Sequence, residues 1–252
     1  MHYHWNWKIF WDMTPEGTGT YLHTLLVGLM WTLATALSAW IIALVLGSIL
    51  GVMRTAPQRW ASAIGNAYVE IFRNVPLLVQ MFLWYFVMPE LLPASLGTAI
   101  KQMPPPWASF VPAVLCLGSF TAARVAEQVR AGVQALPSGQ RMAGTALGLT
   151  LPQTYRYVLL PMTFRIILPP LTSEFLNIIK NSSVALTIGL LELTGRARAM
   201  QEFTFKVFEA FSAATVLYLL INLVIVMLMR IVERKLRVPG FIGSTTQVTA
   251  GH

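Results

Sequence analysis

Hydrophobic positions along this chain fall into long unbroken blocks separated by short polar stretches. From Gly17 to Met53 there is no Asp, Glu, Lys or Arg, and the most apolar part runs from about Leu25 to Leu50. A helix needs ~20 mainly apolar residues to cross ~30 Å of hydrocarbon, so this block predicts a first spanning helix. A second is predicted from about Ile64 to Met88, with Glu70 and Arg73 in its first part, and a third from about Trp107 to Val125. The fourth, from Ile166 to Leu191, is mostly apolar but contains Pro169, Pro170, Glu174, Asn177, Lys180 and Asn181. A lipid-facing helix tolerates such residues poorly, whereas one facing a bundle interior or a wet pathway accommodates them. The fifth, from Ala210 to Met229, is uncharged. The pattern predicts an all-α integral membrane protein with about five transmembrane helices.

Between the third and fourth blocks lies GTALGLTLPQTYRYVLLP, from Gly144 to Pro161, too polar and broken to span. Gly139 and Gln140 open this insert after Pro137 and Ser138. Ala143, Thr145, Ala146 and Leu147 favour or tolerate a short helix, Gly148 supplies a turn or a close backbone approach, Pro152 can start another helical turn, and Pro161 marks the approach to the next span. Two short helices on the membrane surface are predicted, with small residues that let another protein come close; an ordinary connecting loop is the alternative.

Composition agrees with the bilayer. The chain is 56% hydrophobic and 11% charged, against about 25% charged in soluble domains. A net charge of +8 in a soluble protein would suggest nucleic acid. Here the cations flank apolar blocks, so membrane topology accounts for them and no nucleic-acid partner is expected. Arg54 and Arg59 follow the first block; Arg130, Arg141 and Arg156 follow the third; Arg230, Arg234, Lys235 and Arg237 follow the fifth. The second connection has only Lys101, while Arg196, Arg198 and Lys206 in the fourth weaken the contrast. The positive-inside bias places the N-terminus outside, and the insert and C-terminus in the cytoplasm. Residues 1–24 then form an external, interfacial segment, where Tyr3, Trp5, Trp7 and Trp11 suit the membrane boundary. Residues 25–235 form one transmembrane domain with its insert at about 137–161, and 236–252 form a cytoplasmic tail. No cleavable signal peptide is evident. Cys116 lies in an apolar stretch and suits packing; His2 and His4 alone make too weak a pattern for a metal site.

The insert resembles the EAA loop of ABC importer permeases, in which Glu-Ala-Ala, Gly and a terminal Leu-Pro recur at fixed spacing. Ala143, Gly148, Val158, Leu160 and Pro161 match; Met142 stands where Glu is usual and Gly144 where the second Ala is usual. YVEIFRNVPLLVQMFLWYF (68–86), ARVAEQVRAGVQALPSGQ (123–140) and LPPLTSEFLNIIKNSSVALTIGLLELT (168–194) resemble segments of the polar amino-acid permeases. Within that family, WNWKIF and TYRYVLLPMTFRIILPPLTSEFLN are most similar to the glutamate/aspartate permease subunits. The resemblance implies a bacterial inner-membrane, multi-pass permease with a five-helix core. It pairs with a second permease subunit, itself or a paralogue, with two cytoplasmic ATPases that bind ATP and Mg, and with an external solute-binding protein that delivers the amino acid. The insert would then be a cytoplasmic coupling helix docked on the ATPase, with Gly139, Ala143, Gly144, Gly148, Leu160 and Pro161 at the contact.

The chain itself shows no catalytic pattern. There is no G-x-x-x-x-G-K-[ST] phosphate loop, and none of its five lysines follows a glycine. Asp12 is the only Asp, so an intramembrane aspartyl protease lacks its second acid; only His23 lies near a span, which leaves a serine without a membrane base. No cofactor is expected in the chain. A secondary transporter or channel is the competing class, since broken polar helices also serve it, but it has no use for an ATPase-docking insert. Glu174, Asn177 and Lys180 share a helix face. They either hold helices together or, with Asn181 and Ser182, line the substrate pathway. Glu70 with Arg73, and Arg124 with Glu127, stand three residues apart and are expected as structural ion pairs.

Overall fold

A computed structural model describes residues 3–17 and 19–236. His2, Arg237 and the rest of the expected tail lie outside those residues. A short 3-10 turn, Trp7–Trp11, precedes α1 (Tyr21–Thr55), which Thr20 caps by accepting from the His23 amide. Then come α2 (Arg59–Asn74), α3 (Leu77–Phe82), a π-turn at Leu83–Val87, α4 (Met88–Leu91), α5 (Ala94–Lys101) and α6 (Trp107–Ala135). The insert holds α7 (Ser138–Ala146) and α8 (Leu151–Thr154). A second π-turn at Tyr155–Leu159 leads into α9 (Leu160–Asn181), and a 3-10 segment, Ser182–Ile188, into α10 (Leu193–Thr204) and α11 (Val207–Leu236). The only β pairing among the described residues is the isolated bridge between Met13 and Thr20.

Among the described residues three helices, α1, α6 and α11, are long and apolar enough to cross a membrane. The predicted second span is not one straight helix: Arg59–Asn74 and Leu77–Leu91 meet at 104°. The break falls where proline requires it. Pro76 disfavours helical geometry at the residue before it, and Val75 is extended, with φ −94° and ψ 128°. Gln80 turns back and donates to the Phe72 and Val75 carbonyls at 3.0 and 2.9 Å, satisfying groups that the break leaves open. The fourth predicted span begins earlier than its apolar block, at Leu160, and its regular helix stops at Asn181.

Both π-turns end two residues before a proline, Pro89 and Pro161. A proline ring in a regular helix collides with the carbonyl four residues earlier. A wider turn at that point lets the helix absorb the ring and continue. The second short helix expected in the insert is therefore not free-standing: α8 runs through the π-turn into α9.

The core forms around α1 against α6. On α1 the buried stripe is built from small residues, Ala36, Ala39, Ala43, Gly47 and Gly51. A Cβ on Gly47 would fall 2.6 Å from Val125 Cβ, and one on Gly51 2.6 Å from Val129 Cβ. Small faces of this kind let helix backbones approach in a bilayer, where packing rather than hydrophobicity drives association. The apolar stretch of α6 is 72% buried and that of α11 only 6%, so α6 is the centre of the bundle and α11 lies on its margin.

Candidate functional site

Two regions carry the candidate residues: the insert, and a polar cleft inside the bundle. In the insert, α7 ends in a turn that needs a glycine. The Leu149 amide bonds to the Gly144 carbonyl at 3.0 Å, and Gly148 takes φ +75° between them, the left-handed cap of a Schellman motif. Thr150 and Gln153 then form a capping box at the start of α8. Of the two roles open to Gly148, the turn is the one it fills, because nothing lies within 4 Å of where its Cβ would stand. The close approach occurs at Gly144, whose Cβ would sit 2.9 Å from the Thr154 methyl. The Gly144 that departs from the EAA pattern is thus the residue that lets α7 fold against α8.

Apolar side chains at the end of α7 are unpartnered among the described residues. Met142 is 64% exposed and Leu147 79%, with Gly139, Ala143 and Ala146 exposed beside them. Beneath α7 a cavity of about 380 Å³ is lined by Arg54, Thr55, Gln134, Ser138, Tyr155 and neighbours. Tyr155 crosses to α1, donating to the Thr55 carbonyl at 2.9 Å. Leu160 is half-buried in the first turn of α9, and Pro161 is exposed there.

The cleft lies where the end of α2 faces α6 and α9. Arg73, Arg124, Glu127, Gln128 and Glu174 line a space of about 320 Å³. Neither ion pair expected from spacing forms as such. Glu127 is held by Arg54 of α1, at 2.6 Å, and by Arg130 one turn along its own helix; Arg54 is in turn fixed by Asn66 at 2.7 Å. Arg73 reaches Glu127 at 3.9 Å rather than Glu70. The cause is helix phase: Ala61, Gly65 and Val69 form the buried stripe of α2, and Arg73 extends it by one more turn, while Glu70 is turned to the exposed side. Arg124 stands 3.8 Å from Glu174 of α9, not against Glu127, with its guanidinium over the Phe120 ring.

Glu174 is the unusual member. Its side chain is 12% exposed, and its Oε2 is buried with no hydrogen-bond partner among the described residues. The rest of the polar face of α9 does not line this cleft. Asn177 and Asn181 are half-buried, Lys180 is exposed at the end of the helix, and Ser182 is buried with its hydroxyl donating to the Ile179 carbonyl at 2.8 Å. Ser182 is thereby satisfied locally.

Glu192 escaped the sequence reading. It is fully buried at the N-cap of α10 and accepts from the Gly195 and Thr194 amides at 2.8 and 3.0 Å, the Tyr218 hydroxyl at 2.8 Å and the Thr32 hydroxyl at 3.3 Å. One carboxylate thus ties α1, α10 and α11. The signal was there: a single acid in the apolar run GLLELTG.

Residues 43–238 match the model of a family described as binding-protein-dependent transport system inner membrane components. The chain is 50% identical over 240 residues to the glutamate/aspartate import permease protein GltJ of Escherichia coli strain K12, covering 95% of this chain and 98% of that one. It is 33% identical over 213 residues to the arginine transport system permease protein ArtQ of Bacillus subtilis, covering 84% and 92%. Among solved structures, an amino acid ABC transporter crystallised with histidines superposes with a TM-score of 0.71 at 31% identity, over 85% of this chain and 95% of that one. An inward-facing form of the MetNI methionine ABC transporter superposes at 0.72 over 90% of this chain and all of that one; at 20% identity it supports the fold alone.

Proposed function

This chain belongs to the family of binding-protein-dependent transport system inner membrane components, and on that premise we propose the substrate, partners and topology of the importer it serves. It is an inner-membrane permease subunit of an amino-acid ABC importer. Its substrate is glutamate or aspartate, a reading carried by 50% identity along 95% of the chain to a glutamate/aspartate permease. The remaining subunits are a second permease, identical or paralogous, two ATPases that bind ATP and Mg, and an external binding protein that supplies the amino acid.

The insert couples this subunit to its ATPase. Met142, Ala143, Ala146 and Leu147 present an apolar face with no partner among the described residues, and a surface of that kind calls for a partner. Gly139, Gly144 and Gly148 shape it, while Leu160 and Pro161 join it to α9. This puts the insert and the C-terminus in the cytoplasm and the N-terminus outside, in keeping with the basic residues around it. Substrate passes along α9, from Lys180 and Asn181 past Asn177 to Glu174.

Reconstitution tests the reading. Proteoliposomes holding both permeases and the ATPases should accumulate glutamate only with ATP inside the nucleotide-accessible compartment and loaded binding protein on the other side. ATP-independent uptake by this chain alone would overturn it.

A further inference from the structure

The uncharged part of α11 has a defined length. Glu209 and Arg230 bracket residues 210–229, which carry no Asp, Glu, Lys or Arg. At 1.5 Å per residue that stretch is about 30 Å long, the thickness of the hydrocarbon core. Glu209 therefore stands at the edge of the hydrocarbon, and Phe205 to Phe208 lie on its headgroup side. The N-terminal segment is fastened to this edge. Glu209 is fully buried and accepts from the Tyr3 hydroxyl and, at 2.7 Å, from the Asn6 amide. Lys206 Nζ donates to the His4 carbonyl at 3.3 Å. Ile9 and Phe10 turn inward and pack with Tyr21, Leu25 and Ala210.

The other rings stay outside. Trp5 and Trp7 stack with centroids 5.2 Å apart and planes 5° from parallel, and Trp5 lies 5.9 Å from the Phe208 ring. Trp5, Trp7, Trp11, Phe205 and Phe208 each leave half or more of their surface open. Phe205 ends α10 with φ +56°, an unfavourable angle for a side chain of that bulk, and its ring still points away from the protein. The patch continues the apolar faces that α1 and α11 turn outward: Leu22, Leu26 and Met30 are exposed on α1, and the apolar stretch of α11 is only 6% buried. Exposed Lys8, with Lys206, adds cations at the level of the phosphates. Tryptophan and tyrosine are stable at that depth, where the ring meets apolar chains and its polar edge meets water.

We infer that Tyr3–Trp11, clasped to α11 through Glu209, is a membrane anchor whose exposed rings rest among phospholipid headgroups. The lipid's hold on the rings sets the depth of α11, a helix that the rest of the chain grips only weakly. The inference rests on the inner-membrane location of the family, and on neither the substrate nor the ATPase.

Cys116 is the only cysteine and is buried, so a nitroxide can be attached at Trp7→Cys in the full-length chain. In vesicles of phosphatidylethanolamine and phosphatidylglycerol, its collisions with oxygen, which concentrates in hydrocarbon, are compared with those of a water-soluble nickel chelate. The oxygen-to-nickel ratio should be about tenfold higher at Trp7→Cys than at Glu16→Cys, in the exposed turn before α1. Adding Glu209→Ala should lower the Trp7→Cys ratio about threefold, because the clasp opens. Asn6→Pro, which removes the amide that Glu209 accepts, should do the same and decides the matter if Glu209→Ala fails to fold. Equal ratios at the two labelled positions overturn the anchor. So does a Trp7→Cys label that is open to nickel in vesicles of the permease alone and becomes shielded only when a second permease or the binding protein is added, since the rings then belong to a protein contact. Either result leaves the importer reading intact, because that reading stands or falls with ATP-driven uptake by the reconstituted wild type.

Discussion

Glu192 and Glu174 are both withdrawn from solvent, and they could hardly be treated more differently. Glu192 accepts from four donors drawn from three helices; Glu174 has one oxygen with none among the described residues and a cation held at 3.8 Å. A buried polar group that is fully bonded fixes the elements that supply its partners, whereas one left bare carries a desolvation cost that something else must offset. The first arrangement fastens α10 to α1 and α11. The second leaves an acceptor ready beside an open cleft. The same side chain is thus fully engaged at one position and left open at the other, and accounting for its donors tells the two apart.

Substituting Glu192 should have the largest effect on the molecule. Glu192→Ala strands two amides and the Tyr218 hydroxyl, at about 1–3 kcal/mol for each donor left without an acceptor. It also removes the N-cap of α10. Thermal unfolding of the purified complex should show a large drop in Tm, or no complex should be recovered at all. Glu192→Gln keeps the volume but turns an NH2 group towards donors, and should fall between the two. A Tm equal to wild type for Glu192→Ala would break the comparison, because the saturated acid would then fasten nothing.

A second kind of unfilled contact lies on the insert, where the bare groups are apolar. Leu147, 79% exposed, faces outward from a helix whose other side is closed against Thr154. Leu147→Glu should leave the permease as stable as wild type and sharply reduce co-purification of the ATPase, since a charge enters a contact that must lose its water. Gly148→Asp should do the same and also strain the turn, because its φ of +75° costs a side chain about 1–2 kcal/mol. Undiminished co-purification by Leu147→Glu would mean that α7 does not meet the ATPase.

Glu174→Gln sharpens the comparison directly, since it makes the same chemical change as Glu192→Gln. Neutralising an acid whose buried oxygen is bare removes a cost instead of a bond, so Tm should stay level or rise. Uptake of glutamate should fall about tenfold, the equivalent of ~1.4 kcal/mol of lost pairing with the substrate's ammonium group. A falling Tm with undiminished uptake would reverse the roles given to the two acids.

How much of this was legible in the sequence depends on how local each feature is. The helices α1, α6 and α11 follow from long apolar blocks, and the turn at Gly148 from a glycine between a small-residue helix and Pro152. The 104° bend was not read, although Pro76 in FRNVP was visible, because a hydropathy window sums along the chain and is blind to direction. Charge pairing was misread for a related reason. Residues three apart can meet on one helix, but Glu127 lies beside α1, and Arg124 beside α9, so partners from other helices take precedence. Those choices belong to tertiary packing, and no single helix encodes them.

The smallest effect is expected at Lys180, and its size measures how sharply function is concentrated in the cleft. Lys180 lies six residues beyond Glu174, about 9 Å further along the helix axis at 1.5 Å per residue. It is exposed at the end of α9, and its own carbonyl accepts from the Ser183 hydroxyl at 2.7 Å, which steadies the turn into the 3-10 segment whatever the side chain. An exposed cation attracts an anion through solvent, where one pair is worth about 0.2–1 kcal/mol. Lys180→Met should therefore lower uptake only about two- to threefold, by making the approach of an acidic amino acid less favourable. Because such attraction is screened over ~8–10 Å at moderate salt, the gap between variant and wild type should narrow as ionic strength rises. A tenfold loss that persists in high salt would move the contact with the substrate's charge from Glu174 to Lys180. Identical uptake at low and high salt would take Lys180 off the path and leave the cleft as the remaining candidate among the described residues.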